Sequence, residues 1–414
     1  MSSHPTSLSR VGARIPRLPH GAAFYLQASI VVLFLAGSSA PTPLYSVYQA
    51  EWGFSPITVT IVFGIYAIAV LATLLTVGRL SDHVGRRPVL LVAIALQGVA
   101  MLVFATADGV PMLIVARIVQ GLATGAAVGA VGAGMLDIDR AKGTVANGIA
   151  PVSGTATGAL GSSLFVQYLP SPTHLVYLVL LAACAAQAAG VALMPETSPR
   201  RHGAIASLRP QFALPAPVRG PLLVATPVLV AIWALAGFYA SIGPELIRTV
   251  AGSDSLLLGG LSLFVLAGAA ALTVFLVRDL PPRGVMLAGV SALIAGVAIT
   301  LAAISAGSAL VFLVGTAIAG VGFGGGLQGA LRTVVPLAPQ DERAGVISVV
   351  FVVSYLALGL PSVIAGFLVV DGGGLLTPAR EYGVAIMALS ALALLGLVWR
   401  REEHAMQRTA VASR

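Results

Sequence analysis

The loop Gly78-Arg79-Leu80-Ser81-Asp82-His83-Val84-Gly85-Arg86-Arg87-Pro88 sets Asp82 beside Arg86 and Arg87. Charges of opposite sign this close can form an ion pair and release it, and Asp82 can equally turn to a neighbouring helix end. Gly78 lets a helix end approach a neighbour, and Gly85 permits a tight turn. A plainer reading makes the loop a basic anchor with a turn. A second chemical feature is Ala116-Arg117-Ile118-Val119-Gln120-Gly121. Arg117 is the one basic residue inside an apolar run. A charge in hydrocarbon is costly and usually faces a cavity or a partner. It lies six residues beyond Pro111, roughly 9 Å at 1.5 Å per residue. That depth leaves open a guanidinium that snorkels to the interface.

Groups able to carry a proton are scarce. No His lies deep in an apolar run, and Gln27 cannot titrate. Glu245, after Gly243-Pro244, and Asp137 are the nearest acids to the apolar interior, each also readable as a solvated helix end. Polar or aromatic residues inside the runs are Gln27, Tyr66, Gln120, Trp233, Tyr239, Gln328 and Tyr355. They are the candidate contacts for a bound solute, although an aromatic there often serves packing or the interface belt. So little interior charge suits a neutral or amphipathic solute better than a dianion. No G-x-x-x-x-G-K-[ST], H-E-x-x-H or G-x-S-x-G string occurs, so neither ATP-driven transport nor a hydrolase is expected. No metal site or cofactor is expected.

The elements that must position these residues follow from composition. Of 414 residues, 57% are hydrophobic and only 9% charged, with mean hydropathy +0.97. Soluble domains carry about 25% charge, so the chain is expected to be an all-α polytopic membrane protein. The apolar runs predict twelve spans, at 22–48, 56–78, 88–106, 111–135, 145–167, 173–194, 221–243, 256–277, 284–304, 309–331, 344–369 and 383–399. The single cysteine, Cys184, excludes an intrachain disulfide. Net charge +8 does not signal nucleic acid, because the arginines recur in short clusters between apolar runs. With the N-terminus inside, 20 of 23 basic residues fall on inner segments, Arg10, Arg14 and Arg414 among them. Inside then carries net +11 and outside net −4, as the positive-inside rule requires. Both termini are therefore expected in the cytoplasm. A cleaved signal peptide ending at Ala36-Gly-Ser-Ser-Ala40 is the competing reading of the first run. It would leave eleven spans and break the charge alternation.

The polar interval 195–220 divides the chain nearly in half. Asp82 and Asp279 correspond at an offset of 197, Gly121/Gly125 and Gly320/Gly324 at 199, and Asp139-Arg140-Ala141 and Glu342-Arg343-Ala344 at 203. Such parallel repeats suit alternating access around a midplane site. The expected organisation is an N-terminal tail (1–21), a six-helix bundle (22–194), a central loop (195–220), a second bundle (221–399) and a C-terminal tail (400–414).

The loop at 78–87 resembles the G-x-L-x-D-x-x-G-R-[RK] signature of the major facilitator superfamily, and twelve spans with a half repeat agree with it. The resemblance implies that Gly78, Asp82, Gly85, Arg86 and Arg87 form a conformational latch. Its second-half counterpart, Val277-Arg278-Asp279-Leu280-Pro281-Pro282-Arg283, keeps the acid and an arginine but not the glycines. Arg117-x-x-Gln120-Gly121 looks like the family's R-x-x-Q-G motif, whose arginine is associated with proton transfer in coupled members. Gly154-Thr155-Ala156-Thr157-Gly158-Ala159-Leu160-Gly161 is similar to the glycine-rich motif of the drug/proton antiporter branch, where some members also have an acid at the Gln27 position. It has Ala159 where that motif has Pro, and Ser162-Ser163 where it has Gly-Gly. Gly121, Gly154, Gly158 and Gly161 are expected on helix-packing faces. Ser38-Ser39-Ala40-Pro41-Thr42-Pro43-Leu44-Tyr45 should break or kink the first span. The implied function is secondary transport of a small organic molecule by a monomer in the cell membrane. Efflux against protons, driven by their gradient, is the first expectation. Sugar or metabolite symport or uniport, and a non-transporting sensor or scaffold, are the alternatives.

Overall fold

The computed structural model describes residues 17–372 and 374–412, with side chains to 399. The expected tail residues Arg10, Arg14 and Arg414 lie outside the described residues. Twelve helices are long and apolar enough to cross a bilayer. In hydrocarbon every backbone group must find a partner within the protein, and helices provide it locally.

The first span is two helices, α1 (His20–Ser39) and α2 (Pro41–Trp52), joined at Ala40. Then follow α3 (Pro56–Val77), the single turn α4 (Ser81–Val84), α5 (Arg86–Ala105), α6 (Val110–Ile138), α7 (Arg140–Tyr168) and α8 (Pro172–Leu193). The connection carries α9 (Ala204–Ser207). The second half is α10 (Ala216–Ser241), α11 (Gly243–Ala251), α12 (Leu256–Leu276), α13 (Pro282–Ala306), α14 (Ala309–Val334), α15 (Arg343–Asp371) and α16 (Leu376–Ala412). Starts are set by residues that tolerate a missing donor. Proline occupies the first turn of α3, α6, α8 and α13. Asp139 caps α7 by accepting the Lys142 N–H at 3.0 Å. That bond, with the Lys142 ammonium nearby, holds the Asp139 carboxyl below its usual range. Gly307, at φ 64°, turns α13 back into α14.

The helices outrun several predicted spans, notably α7 at its first end and the last span, which begins at Leu376 rather than 383. Polar residues at a helix end sit in the interface and break the apolar run without breaking the helix. Helix α11 has no apolar run to announce it. Leu246, Ile247 and Val250 are buried while Glu245 and Thr249 are exposed, so it is amphipathic and too short to span.

Each half has its own apolar core, one set between Ala23 and Met194, the other between Val218 and Leu397, and Ala159 of α7 joins the second. The repeat read from the glycines is a repeated joint. A Cβ on Gly121 would stand 2.5 Å from that of Ala69, and one on Gly125 would stand 2.7 Å from that of Thr73. Gly320 meets Ala269 at 2.9 Å and Gly324 meets Thr273 at 3.0 Å in the same way. The partners are offset by 200 and the glycines by 199, so α6 on α3 and α14 on α12 are one joint built twice.

Between the halves, α3 packs on α15 and α7 on α12. Thr42 Oγ1 donates to the Ala240 carbonyl at 3.0 Å. Gly64 faces Val363, Gly366 faces Thr60, and Gly260 faces Ser163 and Ala159. The Thr42, Gly64, Gly366 and Gly260 contacts lie in the part of the bundle away from the 78–87 loop, while nearer the arginine-rich face Gly148 of α7 lies against Val274 of α12 and Gln328 of α14.

Helix α7 meets α1 through two glycines. A side chain on Gly154 would collide with the Val32 carbonyl and Leu35, and one on Gly158 with Ala36 and Ser39. Gly161 has nothing within 4 Å, so the expected packing stripe ends at Gly158. Gly158→Val should destabilise the protein by about 1–3 kcal/mol, the usual overpacking cost. Gly161→Val should leave its melting temperature in detergent near wild type.

Candidate functional site

The first chemical centre grows out of the break in the first span. In a helix the Gly37 carbonyl accepts from residue 41, but residue 41 is proline and has no N–H. Gln120 Nε2 fills that vacancy at 2.9 Å. The Gln120 Oε1 then accepts from Arg117 Nη1 at 2.7 Å, and Nη1 also donates to the Ser38 carbonyl at 2.8 Å. Arg117 Nε and Nη2 both donate to the Tyr45 hydroxyl, at 2.9 and 2.7 Å. Helix α7 adds Ser162 Oγ, which donates to the Ala40 carbonyl at 2.6 Å, while Ser39 Oγ donates to the Thr155 carbonyl at 2.9 Å. Arg117 is fully buried, so the snorkelling alternative does not describe it. Among the described residues no carboxylate pairs with it. Its charge rests on neutral oxygens at the carbonyl end of α1, the negative end of that helix. The rings of Tyr45, Tyr66 and Phe104 lie 5.2–5.7 Å from its guanidinium carbon.

The second centre is the 78–87 loop. Gly85, at φ 102°, turns α4 into α5 in a conformation that favours glycine. Arg86 folds inward and is 5% exposed. It donates to Ser81 Oγ at 2.7 Å, pairs with Asp82, and pairs with Asp137 of α6 at 3.1 Å. Asp137 is thus a partner of the loop and lies away from the interior. Arg87 bonds the carbonyls of Val191 and Ala192 at the end of α8. The N-terminus of α5 is capped by Glu196, whose carboxylate accepts the Arg86 N–H at 2.7 Å and the Arg87 N–H at 3.1 Å. The following strap stays on the loop: Arg201 N–H donates to the His83 carbonyl at 2.8 Å. Among the described residues no hydrogen bond or ion pair joins 78–87 to the second half.

The third centre lies where the halves meet. Trp233 of α10 stacks near Tyr355 of α15 at 5.9 Å between ring centroids and meets Phe323 of α14 edge-on at 5.5 Å. Tyr355 meets Phe351 at 6.4 Å and packs with Tyr66 of the first half, while Phe63 and Ala67 pack against Trp233. The Trp233 Nε1 donor is buried and has no partner. Three of the predicted solute contacts, Tyr66, Trp233 and Tyr355, therefore come together. The others go elsewhere. Gln120 belongs to the Arg117 network. Gln27 is buried inside the first half against Gly134 and Met194. Tyr239 bonds Thr316 at 2.8 Å inside the second half. Gln328 lies against Gly148 of α7. Glu245 is exposed and paired with Arg248 at 3.0 Å.

A family model described as Major Facilitator Superfamily matches residues 28–358. The chain belongs to the major facilitator superfamily. It is a secondary transporter of small solutes and not an enzyme. Among solved structures, its fold is similar to that of a point mutant of the nucleoside transporter NupG, with TM-score 0.68 and 11% identity over 91% of this chain and 99% of that one. It is also similar to the human organic anion transporter MFSD10 (TETRAN), with TM-score 0.65 and 18% identity over 92% of this chain and 100% of that one. No curated protein sequence matched it. At these identities the likeness is one of fold.

For a major facilitator the residues that sequence reading passes over are informative. Glu196 sits just past the sixth span in a basic interval; an acid alone among arginines is the available signal. Tyr45 belongs to the proline segment of the first span, where it reads as part of a kink. Phe323 and Phe351 carry no signal, since phenylalanine in a span reads as packing. Ser162 and Ser163, where the antiporter motif has glycines, bond the break and pack on Gly260. Glu196→Ala should free the α5 N-terminus at a cost of about 1–2 kcal/mol. Hydrogen exchange should show faster exchange confined to the amides of Arg86 and Arg87 and the strap beyond them.

Proposed function

We propose that this transporter exports an uncharged or amphipathic organic solute in exchange for protons. In this reading the basic face is cytoplasmic, the membrane is the cell membrane, and one chain holds the whole pathway. The observation that carries the reading is the aromatic cluster of Trp233, Tyr355, Phe323, Phe351 and Tyr66 at the junction of the two halves, which has no acidic or basic member and meets the Arg117 guanidinium only through the Tyr66 ring. Its rings offer apolar faces and its indole N–H offers one donor. That combination binds a flat or amphipathic body carrying a hydrogen-bond acceptor and gives a dianion no counter-charge. The contacts near Thr42, Gly64 and Gly260 close the side away from the basic face, and on the basic side the halves meet where Gly148 lies against Val274 and Gln328. The latch residues Asp82 and Arg86 bond only within the first half here, as a released latch should. Arg117 is the interior charge, and its shell of Tyr45 and Gln120 supports a role in proton handling.

One observation favours a second reading. Every Asp, Glu and His between Arg17 and Trp399 lies in a connection or close to a span end. An interior without carboxylate or imidazole suits facilitated or substrate-driven movement of a neutral metabolite, and the likeness in fold to a nucleoside transporter is compatible with that.

Proton movement in everted vesicles separates the two readings, using a panel of lipophilic cations, neutral drugs, nucleosides, sugars and organic anions. Proton release triggered by one class, and lost in Asp82→Asn at normal membrane insertion, supports antiport and the latch. Solute flux with no proton movement supports the second reading. Trp233→Ala should raise the KM for the responsive solute roughly tenfold, the value of about 1.5 kcal/mol of aromatic contact. Arg117→Ala should abolish proton movement while leaving the KM for the solute near wild type.

A further inference from the structure

The two halves differ at one corner. In the first half the connection between the second and third spans is neutralised from within. Arg86 has Asp82 and Asp137, and Glu196 caps the helix that follows. The repeat carries Asp82 to Asp279 and Arg86 to Arg283 at the same offset of 197. There the compensation is missing. Asp279 is mostly exposed and bonds its neighbour Arg278 at 3.2 Å. Arg283 donates to the Leu397 carbonyl at 2.8 Å and has no carboxylate partner among the described residues. The residue matching Asp137 at the offset of 199 is Pro336. Arg332 donates to the carbonyls of Val277 and Leu280, adding a third cation to the same connection. Among the described residues, these three arginines thus have one carboxylate partner, that of Asp279.

Beside them the bundle surface is hollow. A groove of about 210 Å³ runs between α12, α13 and α14, with Thr273 and Gly325 at its floor and Leu280, Pro281, Gly284 and Ala288 at its walls. Its accessible surface is almost wholly apolar, and Leu280, Gly284, Ala288 and Val321 at its rim are exposed on the outside of the bundle. It is open because Gly284 presents no side chain and meets nothing within 4 Å. An exposed apolar groove whose wall residues Leu280 and Pro281 lie in the chain between Arg278 and Arg283 has the polarity of a phospholipid, acyl chain below and phosphate above.

We propose that this corner is a binding site for an anionic glycerophospholipid of the surrounding leaflet. One acyl chain fills the groove along Gly284 and Ala288. The headgroup phosphate supplies to Arg278 and Arg283 the negative charge that Asp137 and Glu196 supply in the first half. The site lies outside the bundle, away from the solute cluster, so it does not depend on which solute is carried.

Native mass spectrometry of the full chain, reconstituted in phosphatidylglycerol–phosphatidylcholine mixtures and released from detergent, tests it. The expected result is one retained phosphatidylglycerol in preference to phosphatidylcholine. Arg278→Gln and Arg283→Gln should each lower that preference about five-fold, as expected for one arginine at an anionic surface. Ala288→Phe should block the groove and lower retention of both lipids. Arg219→Gln, at an arginine of α10 whose Nε bonds the Leu214 carbonyl just before that helix, is the control and should change nothing. Equal retention of the two lipids by the wild type would overturn the proposal. So would a preference unaltered in Arg278→Gln, Arg283→Gln and Ala288→Phe proteins that elute as monodisperse, helical material.

Discussion

A carbonyl without a donor inside a membrane span is the constraint on which much of this structure depends. Pro41 leaves the Gly37 carbonyl in that condition, and hydrocarbon has nothing to offer it. The side-chain amide of Gln120 answers it, and the rest follows in order. Gln120 must be on the adjoining helix, so α6 must lie close to α1. The other end of the amide then needs a donor, and Arg117, one turn earlier on the same helix face, provides it. The guanidinium in turn needs acceptors, found in the Ser38 carbonyl and the Tyr45 hydroxyl beyond the break. A costly buried cation is thus tolerated because the break exposes oxygens, and the break is tolerated because the cation and the amide cover them. Close approach of α6 to α3 through Gly121 and Gly125 fixes the helix that carries both residues.

The second half is built on the same plan and solves the problem differently. Its seventh span also ends in a proline, Pro244, which deprives the Ala240 carbonyl of its donor. The position matching Arg117 is Thr316, which bonds Tyr239, and the position matching Gln120 is Ala319. Neither can reach the orphan carbonyl. Its donor comes instead from Thr42 of the first half. One half therefore satisfies its break internally and is a rigid unit there, while the other depends on its partner half. The duplication supplied two similar bundles, and divergence at these two positions assigned one charge to the first and left the second neutral.

Legibility in the sequence follows the same physics. Twelve spans can be read because lipid forces apolar, helical segments, and the half repeat can be read because glycines that let backbones touch cannot be replaced by larger residues. The charged string at 78–87 can be read because its charges cluster within one short loop. What a polar residue in a span does is harder. Depth along the helix places Arg117, but spacing says nothing about which neighbour a face meets, so its Tyr45 and Ser38 partners are invisible. Gln27 and Gln120 look alike in sequence, yet one is buried against Met194 and the other caps a broken helix. Trp233, Tyr355 and Tyr66 converge because three helices from two halves cross there, a fact set by packing across some 290 residues of chain. Glu196 reads as a loop acid because its partners, two backbone amides, leave no trace in residue type.

The bond from Thr42 to the Ala240 carbonyl also constrains how the halves can part. Opening the side opposite the 78–87 loop separates α2 from α10 and removes the donor from Ala240, and Pro244 ensures that no backbone amide replaces it. A buried, unpaired carbonyl costs about 1–3 kcal/mol. Only water can supply the missing donor, so that side opens as it hydrates. The Arg117 network imposes no such requirement, because Gln120, Ser38 and Tyr45 move with their own half. Alternation between the two faces can therefore exchange one protein bond for one water at that joint while the charged centre stays intact. The cost of opening is then concentrated where the two proline breaks meet, on the side opposite the arginine-rich loop.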